Sequence, residues 1–216
     1  GVDRFYIYDG PGCANMEAIE YLVKLVRTIS QNQLEIAIHC HNDFGLAVAN
    51  SISAVKAGAT IVDTVINGLG DRAGNASFEE VVTALTVLYE VDTNINIEQI
   101  YSLSELVATI FNIPIPFNKP IIGESAFRHE TDSHVAGLLR GDWDSFEVIK
   151  AEALGRERSL EFGPTTTQES DGALSAKLDQ MGIKYNKEFE IEIMSWLKEE
   201  LKSKDFISEE ELEKQI

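Results

Sequence analysis

The apolar run Leu34-Glu35-Ile36-Ala37-Ile38 leads into His39-Cys40-His41-Asn42-Asp43, and the reading of this stretch decides the fold. The run reads as a buried strand, and the glycine-containing turn after it opens a helix. Side chains alternate along a strand, so His39 and His41 share one face and Cys40 takes the other. Two imidazoles on one face at a strand's end form a clip for a divalent metal ion. The alternative is a pair of ordinary core or surface histidines. It requires each buried neutral imidazole to find hydrogen-bond partners of its own.

On either side the same unit recurs. Arg4 to Tyr8 reads as a strand, Asp9 to Cys13 as a turn, and Met16 to Ile29 as a helix burying Ile19, Leu22, Val23 and Val26. After the central strand, Leu34 to His41, a helix from Leu46 to Ala57 is expected to bury Val48, Ala49, Ile52 and Val55 and to stop at Gly58. A third strand, Thr60 to Ile66, is followed by the loop Asn67 to Asn75 and by a helix that Ser77 and Glu80 open as a capping box. Three such units in succession build a parallel sheet covered by helices. Both doubly wound sheets and (β/α)₈ barrels place their sites in the loops at the strands' carboxyl ends.

Beyond Glu90 the pattern changes. Asn96 and Gln99 start a helix to Phe111 with Ile100, Leu103, Val107 and Ile110 on one face, and Ile113 to Phe117 is a stiff connector. Residues 123–140 hold His129 and His134 in irregular or partly helical chain, and 152–162 have strand character. Helices are expected over 170–181, ending at Gly182, and over 186–201, with a last acidic turn at Ser208 and Glu211. The expected domains are 1–92, 93–160 and 161–216.

With 36 acidic residues against 18 Lys and Arg, the net charge of −18 argues against nucleic-acid or anionic-membrane partners. Two cysteines, one of them inside a strand, give no disulfide framework, and a reduced, cytoplasmic protein is expected. The sequence begins at Gly1 almost directly in a strand, which reads as a piece of something longer.

The loop residues supply the remaining chemistry. Asn75 at the mouth of the third helix could ligate or orient a metal-bound group, or belong to a glycine-rich turn with backbone duties alone. Asp71 and Arg72 read as an exposed pair. Asp43 would orient one of the histidines from behind, or cap the following helix.

His39-Cys-His-Asn-Asp43 with Phe44-Gly-Leu-Ala-Val-Ala-Asn50, Gly68-Leu-Gly-Asp-Arg-Ala-Gly-Asn75 and Asn118 to Phe127 resembles the isopropylmalate, homocitrate and citramalate synthases. These are metal-dependent Claisen-condensing barrels related to HMG-CoA lyases. The resemblance implies an α/β fold: the C-terminal three βα units of a (β/α)₈ TIM barrel, followed by small, mostly helical α+β linker subdomains. It implies a divalent ion (Zn, Mg or Mn) on His39 and His41, with Asn75 beside them and an acidic ligand from outside this sequence. The ion would polarise a 2-oxo acid for attack by acetyl-CoA. Asp9, Asn42 and Arg72 are expected at the substrate. A subdomain histidine, His134 first and His129 second, would serve acid–base catalysis in a homodimer. An N-terminal barrel half, on the same or a separate polypeptide, would complete the site, so the isolated chain is expected to be inactive. The pattern departs from the family at Thr131-Asp132-Ser133, at Phe146 where a tyrosine is expected, and at Pro164 to Gln168. The absence of a leucine-feedback segment leans towards homocitrate, citramalate or citrate formation.

Other readings compete. An amidohydrolase-type hydrolase also uses a His-x-His pair, but with further histidines on later strands. Cys13 with a rim histidine would make a nucleophile. An HMG-CoA lyase-like C–C lyase and a non-catalytic subunit that pairs with a half-barrel complete the set.

Overall fold

The computed structural model describes residues 1–167 and 172–216, and they divide into two compact units, 1–123 and 124–216.

The first unit is α/β. Strands β1 (Arg4–Asp9), β2 (Glu35–Cys40) and β3 (Ile61–Asp63) form a parallel sheet in that order. Parallel neighbours need a crossover, and helices α1 (Met16–Ile29) and α2 (Ala47–Ala57) provide it. Ile7, Ile36, Ile38 and Cys40 point to the helices and pack with Ile19 and Val23 of α1 and with Ala47, Ala54 and Ala57 of α2. Asn15 caps α1 by accepting from the Ala18 N–H at 2.9 Å. Gly58, at φ 110°, ends α2 in the left-handed region that glycine enters without strain.

The buried face of α2 differs from the expected one. Ala47, Asn50, Ser51, Ala54 and Ala57 are buried, whereas Val48, Ile52 and Val55 are half-buried at the flanks. Small residues let the helix lie close to the sheet. Of the two polar ones, Ser51 donates to the Ala47 carbonyl and Asn50 donates its NH₂ to that of Ala14, while the Asn50 Oδ1 is buried without a partner.

Helix α3 (Phe78–Leu88) follows the third loop, and α4 (Ile100–Phe111) follows a 3₁₀ turn at 97–99 that Asn96 caps. The Ser77–Glu80 capping box does not form. Ser77 donates to Glu79 instead, and Lys119 donates to Ser77 at 3.1 Å and to Glu80 at 2.6 Å. Of the expected face of α4 only Ile100 is buried, with Ser104, and Ile110 is exposed. Ile100 packs with Val82 and Ile122, and α4 lies in the first compact unit.

The second unit is α+β. Strand β4 (Arg128–His129) pairs in parallel with β5 (Ser159–Phe162), and β5 pairs antiparallel with β6 (Ile207–Ser208). Around them lie α5 (Asp132–Leu139), α6 (Gly172–Gln180), α7 (Lys187–Glu200) and α8 (Glu209–Gln215). Phe162, Leu174, Leu178, Leu197, Ile207 and Leu212 make the core. The expected start of α6 at 170 and the end of the run Pro164 to Gln168 lie outside the described residues. Among the described residues no helix is long and apolar enough to cross a membrane.

Candidate functional site

Strand register builds the first cluster. Tyr8 pairs with His39 and His39 with Asp63, so three side chains stand in one row across the sheet, on the face opposite the helices. Asp63 Oδ2 lies 3.3 Å from His39 Nδ1, and the Tyr8 ring is 5.2 Å from that of His39. Two residues on, His41 brings its Nε2 to 3.1 Å from His39 Nε2.

The third loop is stapled over this pair. Ala76 N–H donates to the Cys40 carbonyl at 3.2 Å and Asn42 N–H to that of Gly74 at 2.9 Å. This seats the Asn75 amide at 3.1 Å from His39 Nε2. The loop's glycines are required by close approach. A Cβ on Gly70 (φ 154°) would collide with the Asn75 side-chain oxygen, and one on Gly74 (φ 84°) with the Gly68 carbonyl. Arg72, at φ 55°, turns its guanidinium inward. It bonds both Asp43 carboxylate oxygens at 2.7 and 2.9 Å, the Gly10 carbonyl at 2.9 Å, and His41 Nδ1 at 2.6 Å.

These contacts fix the proton positions. A carboxylate at His39 Nδ1 requires N–H there and leaves a lone pair on Nε2. A guanidinium can only donate, so His41 Nδ1 accepts and its Nε2 carries the proton, directed at His39. Arg72, His41, His39 and Asp63 thus form one continuous donor chain. The Asp43 carboxyl is held below the usual range by its bonds from Arg72, which Asp43 in turn raises. On the helix side, burial pushes the Cys40 thiol up to about 12, and Cys13 is exposed.

The donors suit a divalent ion in part. His39 Nε2, His41 Nε2 and, with its amide turned over, Asn75 Oδ1 converge on one point, a nitrogen and oxygen set of the kind that zinc and manganese accept. Taking His41 as a ligand moves its proton to Nδ1 and releases Arg72. Among the described residues no group of three or more His, Cys, Asp and Glu side chains could hold a metal. A complete shell therefore needs a ligand from elsewhere.

The second unit holds the other histidines. His129 Nε2 lies 3.0 Å from Glu147 Oε1, and Arg158 grips both oxygens of the same carboxylate. The His134 ring packs against Phe146 in a tilted pair, 4.6 Å between centroids, and stands 6.0 Å from the His129 ring.

Residues 1–107 match the HMGL-like family model, and residues 121–205 match the homocitrate synthase post-HMGL domain-like model. Residues 1–107 belong to the HMGL-like family. The chain is 40% identical to homocitrate synthase AksA of Methanocaldococcus jannaschii over 97% of this chain and 50% of that protein. It is 42% identical to (R)-citramalate synthase CimA of the same organism, over 87% of this chain and 37% of that protein. A probable 2-isopropylmalate synthase of Ignicoccus hospitalis is 44% identical over 76% of this chain and 40% of that protein. The chain spans about half or less of the length of these curated relatives.

In this chain the expected site residues part company. His39, His41, Asn75 and Arg72 come together. Asp43 does not touch either histidine; it holds Arg72, because the left-handed turn at Arg72 brings the guanidinium to it. The carboxylate behind His39 is Asp63, whose register with β2 could have nominated it. Asp9, expected at the substrate, closes the β1–α1 turn, its two oxygens accepting from the Cys13 and Ala14 N–H groups at 3.0 and 3.1 Å. The Asn42 Oδ1 accepts from the Ala47 N–H at 3.2 Å where α2 begins. Glu147 and Arg158 carried no sequence signal, since each meets His129 only through the fold of the second unit.

Proposed function

We propose that this chain forms part of an acyltransferase that condenses acetyl-CoA with a 2-oxo acid to give a 2-hydroxy di- or tricarboxylic acid. The observation that carries the reading is the convergence of the His39 and His41 Nε2 atoms at 3.1 Å, with Asp63 behind the first ring and Asn75 beside it. Kinship with chains named homocitrate, citramalate and 2-isopropylmalate synthase supports the same class.

His39 and His41 would hold a divalent ion, with Asn75 as an oxygen donor. Bound there, the ion supplies a Lewis acid for the keto oxygen of the substrate. Asp63 fixes the His39 ring and raises its basicity as a ligand. Arg72, once released from His41, remains on Asp43 and offers its guanidinium to a substrate carboxylate, for which its planar fork is suited. The acid–base step belongs to the subdomain histidines His134 and His129, which take the proton from the acetyl methyl group and return one later. The three strands need further strands to close a barrel, and an N-terminal half, on this or another polypeptide, would bring them together with the missing acidic ligand. We place the working form as a homodimer.

Two measurements test this. Titration calorimetry of Mn²⁺ or Zn²⁺ into the chain and into a His39→Ala, His41→Ala double variant should show binding that the variant loses; equal heats remove the metal assignment. With a barrel half supplied, acetyl-CoA and a panel of 2-oxo acids should release free thiol, whereas the chain alone should release none. Cleavage of a 3-hydroxyacyl-CoA to acetyl-CoA and a carbonyl product, with no free thiol, would point to the lyase reaction instead. The reading as a non-catalytic subunit rests on the incomplete ligand set, and metal-independent pairing with a half-barrel would favour it.

A further inference from the structure

One buried acid clamps the third loop at both of its ends. Glu79, in the first turn of α3, is fully buried. Its Oε2 accepts from the Asn67 backbone N–H at 3.0 Å, where the loop begins, and its Oε1 accepts from the Ser77 hydroxyl, where the loop ends. Asn67 sits at φ 61°, a conformation that asparagine enters more readily than most residues, and its side-chain NH₂ donates to the Ser104 carbonyl of α4 at 2.9 Å. A carboxylate taken out of water needs donors and a cation around it. The cation comes from beyond α4. Lys119 Nζ stands 3.7 Å from Glu79 Oε1 and donates to Ser77 Oγ at 3.1 Å. A tight turn delivers it: the Lys119 N–H donates to the Pro116 carbonyl at 3.0 Å and the Gly123 N–H to that of Lys119 at 2.8 Å, with Ile122 buried against Val82 and Ile100. A Cβ on Gly123 would collide with the Lys119 backbone.

The path from this clamp to the histidine pair is short. The Gly68 carbonyl, one residue past Asn67, accepts from the Asn75 N–H at 3.2 Å, and the Asn75 side chain lies 3.1 Å from His39 Nε2. A residue needed only to fill the space under the loop would be apolar, which is the cheaper group to bury. We propose that Glu79, with Lys119 as its counter-ion, is a positioning residue that sets the third loop so that the Asn75 side chain meets His39. Its consequence for ion binding rests on the reading of His39, His41 and Asn75 as a metal site; the positioning of the loop does not.

The first test needs neither metal nor turnover. Amide hydrogen exchange of the full chain, followed residue by residue by NMR, separates local from global opening. In Glu79→Ala the Asn67 and Asn75 amides should exchange roughly tenfold faster, in line with one lost bond, while the β2 amides keep their protection. Unchanged loop amides, or an equal rise in the loop and in β2, overturns the proposal. Should Glu79→Ala lose its fold, Lys119→Met, at a partly exposed position, makes the same decision with the same expected pattern. The second test joins the clamp to Asn75. By calorimetry, Lys119→Met should weaken Mn²⁺ binding roughly tenfold in the parent and not at all in an Asn75→Ala background, because the effect travels through Asn75. Equal weakening in both backgrounds, or none in either, overturns the coupling to the site. A wild type that binds no Mn²⁺ defeats the metal reading alone, and the exchange rates still decide the positioning.

Discussion

Asp63 meets the His39 ring from the neighbouring strand, Oδ2 to Nδ1 at 3.3 Å, because the two residues are direct partners in the β2–β3 ladder. Replacing Asp63 by Asn keeps the shape and removes the charge that favours Nδ1–H. The expected result is a 10- to 100-fold loss of Mn²⁺ or Zn²⁺ affinity by calorimetry, roughly the usual cost of losing such a support. Unchanged affinity would mean that the pair is an incidental surface contact.

The loop glycine Gly70 should be intolerant of a side chain. Gly70→Ala adds a Cβ that collides with the Asn75 side chain, at a backbone angle that L-residues avoid. Urea denaturation should show a loss of about 1–3 kcal/mol. Gly10→Ala, with open space around it, should stay within about 0.5 kcal/mol of the parent.

Much of the first unit was legible in the sequence because its signals are local. Periodicity placed α1 at Met16–Ile29, and alternation put His39 and His41 on one face. Partners distant in sequence were not legible. Lys119 takes Ser77 and Glu80 out of their capping box from some forty positions away, and Arg72 captures Asp43 from the next loop. Strand β3 stops at Asp63, short of the expected Ile66, because the chain turns at Asn67 with φ 61°. In the second unit β4 and β6 are two residues each, too short for any pattern to register, whereas the Ser208–Glu211 capping box is purely local and forms.

Lys177 is 2% exposed and joins α6 to α8 through Glu209 and Glu213, with Gln180 as a third acceptor. Lys177→Met should cost the second unit about 2 kcal/mol, at the low end for a broken ion-pair cluster because both glutamates keep access to water. Burial, its largest influence, lowers the Lys177 pKa, but the two glutamates more than reverse this and raise it above 10.5. Its contribution is therefore complete below pH 10.5 and is lost as pH rises through the folded value. Thermal melts of wild type should show an alkaline decline that Lys177→Met lacks.

Acid should act through His129. Its folded pKa lies below 6.5, so on acidification the unfolded chain takes up the proton first and stability falls from about pH 6.5 downward. The depressed Glu147 adds a second decline below its usual 4.5, in the same direction. Melting curves of His129→Gln should lack the first decline and keep a displaced second one.

The two thiols should separate cleanly. Cys40 is 1% exposed and pushed up to about 12, while Cys13 is exposed. A disulfide reagent should titrate one thiol rapidly in the native chain and both in urea; rapid reaction of both would show that β2 opens.

The row Tyr8–His39–Asp63 carries a constraint on how this sequence can change. Since neighbouring positions on a strand face opposite sides, adding or deleting one residue within β2 would send the imidazoles into the aliphatic layer and bring Ile38 and Cys40 to their place. Indels of that kind are forbidden here, while substitution in place leaves the register intact. Diversification of such a site therefore proceeds by replacement, with the sheet acting as a fixed ruler.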